Sequence, residues 1–221
     1  MQITKVAGKL QSDQERWKFV GGRLCLDFIN TVGGRLSSGA ILRDKLTAYD
    51  DLLEWSRLAG IANPTESRNL ARHAAAHPPE AEATLRRAVQ LRETLYRIFK
   101  AAAEDRRPRS PDLDVLTQEL RLARAHERLA HTGGAFGWTW DDNIALDRIL
   151  WPVSLSAADL LTSGDLSRLR QCGGHECGWV FLDTSRNRSR HWCDMKDCGN
   201  RAKVSRFRQR HQLTHRRARS A

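Results

Sequence analysis

Along most of the chain, apolar residues recur every three or four positions, the mark of helices that bury one face. After a short strand at Lys18–Val20 and a break at Gly21-Gly22, Leu24, Phe28 and Val32 predict a first helix over 24–32, stopped by Gly33-Gly34. Thr47 is the expected N-cap of a second, with Asp50 standing in for the usual glutamate partner. Leu52, Trp55 and Leu58-Ala59 form its stripe and Gly60 its end. Asn63-Pro64-Thr65-Glu66 repeats the start signal, with a cap, a first-turn proline and an acid at the third position. That helix runs to about Ala76, where His77-Pro78-Pro79 breaks it. Residues 80–104 carry the longest stripe, through Leu85, Val89, Tyr96 and Phe99. Ser110-Pro111-Asp112 starts a further helix extending to about Leu129.

The rhythm then changes. In His131–Asp142, Trp138 and Trp140 alternate and Gly133-Gly134 can turn, which predicts a β-hairpin. Helix resumes over Asn143–Ser163, and Pro152 implies a kink or a restart. Beyond Gly164, GWVFLDTS alternates as one strand, SRNRSR reads as a polar hairpin turn, and RAKVSRFRQRH returns to helical spacing. In this last helix Val204 and Phe207 are expected to face inward, and from about Gln212 the tail is expected to fray. The pattern gives a mainly α (α+β) protein: a helical amino-terminal domain, 1–165, with a β-hairpin, then a small hairpin-plus-helix unit, 166–221.

Charge changes the picture. The chain of 221 residues has 37 Lys+Arg against 26 Asp+Glu, a formal +11. Residues 166–221 hold 14 of the cations and 4 of the acids, so nearly all the excess lies in the small unit. Arginine outnumbers lysine 30 to 7, and a guanidinium fork suits phosphate. Such a block points to a polyanion, nucleic acid first. No charge-free run approaches the roughly 18 residues of a membrane span. The start, MQITKVAGKL, lacks a signal-peptide core, so a cytoplasmic location is expected.

The cysteines fall in the same place. Cys172, Cys177, Cys193 and Cys198 form C-x4-C-x15-C-x4-C, while Cys25 sits alone among apolar residues as a core residue. In a reducing compartment such a cluster favours metal over its alternatives, two disulfides or free thiols. Four thiolates make the closed tetrahedral site of one structural Zn2+ and leave no open position for catalysis. His175 and His191 are expected bystanders, and an enzyme is not expected. His73 and His77 stand four apart with no carboxylate evident beside them, and are expected to face solvent. Trp179, Phe181, Trp192, Val204 and Phe207 would supply the small core that zinc ligation closes. Lys203, Arg206 and Arg210 share another face of the last helix, flanked by Arg201 and Arg208. A cationic helix fits the DNA major groove, with Arg186, Arg188 and Arg190 in the turn placed to grip phosphates.

The run from Cys172 to Val204, C-x4-CGWVFLDTSRN-x-SR-x-WC-x-M-x-x-CGNRAKV, resembles the CGNR zinc-finger family of bacterial regulators. GGRLCLDFINTVGGR and SAADLLTSGDLSRLRQC are similar to the ABATE domain that precedes that finger. The resemblance implies that the four cysteines bind zinc, that the finger binds DNA, and that the chain is a stress-responsive transcriptional regulator with an amino-terminal sensing domain. An RNA-binding zinc module and a zinc-stabilised protein–protein adaptor are the alternatives. One finger per chain suggests a homodimer. A small-molecule effector would be sought at Asp27, Asn30, Trp138 and Trp140, against ordinary capping and core roles for the same residues.

Overall fold

A computed structural model describes residues 16–218 apart from positions 37 and 142, with the side chains of 132 and 210–218 outside the description. The helices are α1 (Leu24–Ile29), α2 (Tyr49–Leu58), α3 (Pro64–Ala76), α4 (Pro78–Ala103), α5 (Ser110–Ala125), α6 (Leu150–Thr162) and α7 (Asn200–Ala218). Two antiparallel pairs accompany them: β1 (Glu127–Thr132) with β2 (Ala135–Trp140), and β3 (Leu169–Gln171) with β4 (Val180–Leu182). The mainly α architecture therefore stands.

The long helix α4 is the hub. Its buried Leu91, Leu95, Ile98 and Phe99 meet α1, α2, α3 and α5, and α6 packs across α1 and α5. Cys25 is fully buried in this core, as expected. The start of α3 is built as its sequence predicts: Asn63 accepts from Thr65 and Glu66 N–H groups, and Glu66 accepts from Asn63 N. His77-Pro78-Pro79 turns the chain and opens α4, because a proline in the first turn lacks only a hydrogen an unpaired N–H would not have used.

Several boundaries differ from expectation. Asp51, not Asp50, closes the box of α2, accepting from Thr47 N, Thr47 Oγ1 and Ala48 N, so the cap shifts to Ala48. Helix α1 stops at Ile29, and Val32 instead bridges Asp44. Lys18–Val20 is irregular. Helix α5 ends at Ala125 and the hairpin begins at Glu127, since Leu129 pairs with Trp138 across the ribbon. Pro152 restarts helix: a 3-10 turn over Leu146–Ile149 passes into α6 with the proline in its first turn. Helix α7 continues to Ala218, past the predicted fraying point. Among the described residues no helix is long and apolar enough to cross a membrane.

Candidate metal centre and the basic helix

The first ligand pair lies in the loop between β3 and β4, so the observed hairpin encloses CGGHEC. The SRNRSR turn follows β4 and leads to the second pair, rather than joining two strands. The chain then makes one wide π turn over Met195–Gly199, which carries Cys198, and passes directly into α7. The four Sγ atoms lie within 4.8 Å of one another. Cys177 is 3.7 Å from Cys193 and Cys193 is 3.6 Å from Cys198, and all four thiols are free and buried. Tetrahedral zinc with bonds of about 2.3 Å sets its sulfurs about 3.8 Å apart, against about 2.05 Å in a disulfide.

The surroundings fit the ion. A Cβ on Gly174 would stand 2.9 Å from Cys198 Sγ and 3.3 Å from Cys177 Cβ, so glycine is what lets the chain pass this close to the sulfurs. Cys172 Sγ accepts from Gly174 N at 3.4 Å and Cys193 N at 3.2 Å, and Cys198 Sγ accepts from Arg201 Nη2 at 3.0 Å. Without a cation the thiols contend for protons. Donation from Cys177 and Cys193 drives Cys172 far below the ordinary thiol range, and the same contacts push Cys177 up to about 12 and Cys193 up as well. Only a bound cation allows all four to be thiolates together. The cysteine set fits one structural zinc.

His175 and His191 stay outside the cluster. His175 is exposed and lies 3.7 Å from Glu176, and His191 packs edge-on to Trp192. The small core differs from expectation. Trp179 and Phe181 are buried and Trp192 is half-buried, but Val204 and Phe207 are 49% and 62% exposed. Their place is taken by the amino-terminal body: Val32 is buried here with Val20 and Ile41 beside it, and Trp179 Nε1 donates to Val32 O at 2.9 Å.

The predicted nucleic-acid residues divide. Lys203, Arg206 and Arg208 are exposed on α7, and every described side chain from Lys203 to Gln209 is exposed. Arg210 continues the helix, with its side chain outside the described residues. Arg186 and Arg188 are exposed on a loop pinned from within: Asp183 Oδ1 accepts from Ser185 N and Oγ, and Asp183 Oδ2 from Arg190 N. Arg190 is a correction. Its guanidinium donates to the carbonyls of Trp192, Leu182, Val20 and Cys193 and lies 4.3 Å over the Phe181 ring, so its donors are spent inside the protein. Arg201 is exposed but turned to Cys198 Sγ.

The four effector candidates do not converge. Asn30 is buried and clamps the backbone of Val180 through both its amide atoms, at 2.9 and 3.1 Å. Asp27 accepts from Gly21 N at 2.8 Å, and the neighbouring Arg23 pairs with Asp165. Trp138 is 71% exposed on the hairpin, and Trp140 packs on Trp151 at 5.3 Å. A feature unforeseen by the sequence is a cavity of about 700 Å3 between the amino-terminal body and the cysteine cluster, lined by residues that include Arg43, Lys45, Glu176, Cys177 and Asp197 and by none of those four. A carboxylate does stand beside the paired histidines: Glu80 Oε2 is 3.3 Å from His73 Nε2, contributed by the next helix.

The ABATE family model, described as a putative stress-induced transcription regulator, matches residues 22–164, and the CGNR zinc-finger model matches 168–211. No curated protein matches the chain. With the fold, the sulfur geometry and these two matches together, the chain belongs to the ABATE family of transcription regulators and carries a CGNR zinc finger at its carboxyl end.

Proposed function

We propose that this protein is a zinc-dependent, DNA-binding transcriptional regulator, with 166–221 as the DNA-reading part and 1–165 as the sensing part. The observation that carries the reading is α7. It issues from the cysteine cluster and presents Lys203, Arg206 and Arg208 exposed along its length. An α-helix of this kind fits the major groove, and Arg186 and Arg188 lie on a loop anchored to the same cluster. One such helix per chain suits a homodimer spanning two half-sites. Trp179 is buried, which removes a base-stacking platform and weakens the RNA alternative. The test is duplex-DNA affinity against salt. About five phosphate contacts predict a log–log slope near −4.5, and a flat dependence contradicts the reading.

One observation favours the adaptor reading: Val204 and Phe207 give α7 exposed apolar surface beside its cations. Failure to bind duplex DNA even at low salt, with zinc bound, is the outcome that supports it.

A further inference from the structure

We propose that the cavity between the amino-terminal body and the zinc cluster is a binding site for a small oxyanion, a molecule bearing a phosphate or carboxylate group held by Lys45 and Arg43. This rests on the sensing role proposed above and names its chemistry. The carrying observation is Lys45. It is 9% exposed, and its ammonium has no carboxylate within ion-pair distance among the described residues. Nζ donates one bond, to Arg16 O at 2.8 Å, and otherwise faces the rings of Trp179 at 5.1 Å and Trp17 at 5.8 Å. A buried ammonium has three donors and is costly without a counter-charge. Arg43, Lys18 and Arg16 all bear positively on it, with Asp197 acting the other way.

The other cations of the cavity are already paired. Lys18 bonds Asp197, Arg16 binds Asp51 and Glu54, and Arg201 bonds the Cys198 sulfur, which also offsets the negative charge of a four-thiolate zinc. Arg43, by contrast, has no ion pair among the described residues. Its guanidinium lies over Gly33, where a Cβ would come 2.8 Å from Arg43 Nε. Lys45 and Arg43, neither in an ion pair among the described residues, both line a cavity of about 700 Å3 whose other charged groups are held in pairs or at its acidic edge, and the volume admits an organic anion. Burial of Lys45 keeps out the backbone of a rigid duplex and selects a free ligand. Glu176, Cys177, Cys193, Asp197 and Cys198 line the same cavity, so an occupant would touch both the sensing part and the ligand-bearing loops.

The test uses inorganic phosphate on the full, zinc-loaded chain, by calorimetry and thermal shift at constant ionic strength with chloride as the control. The expected result is saturable phosphate binding, weakened about tenfold or more in Arg43→Gln and abolished in Lys45→Met. Arg43→Gln is an exposed change that leaves the fold intact, so the result does not depend on the buried substitution. Its DNA affinity without phosphate should match the wild type. Absence of phosphate binding in the wild type, or equal binding by Arg43→Gln, overturns the proposal. Loss of DNA affinity in Arg43→Gln also overturns it, by making that cation a DNA contact. Phosphate binding in a protein that never binds DNA would keep this site and sink the regulator reading.

Discussion

Arg92 is fully buried and forks onto Asp44 with two bonds of 2.6 Å, while its Nε reaches Glu93. Glu93 also holds Arg35 at 2.6 and 3.0 Å, and Arg35 lies 3.9 Å over the Tyr96 ring. Burial works to raise the Glu93 and Asp44 carboxyls, but the arginines outweigh it and hold both below the ordinary range. Their contribution is complete above the unfolded carboxylate range and is lost as pH falls through the lower folded values. Glu93→Gln should leave the buried Arg35 guanidinium without its carboxylate, while Arg92 keeps Asp44, and cost about 3 kcal/mol in chemical denaturation; an unchanged stability would contradict this. Asp27 has the opposite sign. Burial pushes it from its ordinary 3.8 up to about 6, against the N–H groups of Gly21 and Val20, which favour the charged form. Its folded form prefers the proton, so stability falls as pH rises from about 4 to about 6. Asp27→Asn keeps an acceptor for Gly21 and should gain about 1–3 kcal/mol at pH 7 with no gain at pH 3. A gain equal at both pH values would show that ionisation is not the cause. None of these pairings could be read from the sequence, because each joins residues whose separation carries no local pattern.

At the scale of elements, local signals were legible and long-range ones were not. The Asn63–Glu66 box and the stripe of α4 appear where spacing places them, since both are set within a few turns of chain. Val204 and Phe207 show the limit: their spacing says they share a face, but not that this face stays largely exposed. The hairpin gives the same lesson, for Leu129, Phe136 and Trp138 are exposed while Trp140, on the same face, packs on Trp151. Gly33-Gly34 carries the spacing of a helix stop, and Arg35 follows it directly. The same stretch is the seat of the finger's first loop: Arg35 N donates to the carbonyls of Glu176 and Cys177. Gly34 has φ +132, and a Cβ there would stand 2.5 Å from Glu176 O. Gly34→Ala should therefore destabilise the protein by about 1–3 kcal/mol and speed zinc release to a chelator. Unchanged release would separate this loop from the metal centre.

Over the whole molecule, the metal centre and the body are one packed structure. Asn30 clamps Val180, Trp179 donates to Val32, and Arg190 gathers carbonyls from Val20 and from the second ligand pair. The sequence located the four ligands because paired cysteine spacing is local chemistry. It could not reveal that the body supplies the apolar cover expected from α7, nor that the joint leaves a cavity lined by a buried lysine with no ion pair among the described residues. The account depends on zinc fixing the base from which α7 projects. X-ray absorption at the zinc edge of the full chain tests this most directly. One zinc per chain with four sulfurs at about 2.3 Å is the predicted result; a shell containing nitrogen or oxygen ligands, or a chain that folds and binds DNA without metal, would contradict it.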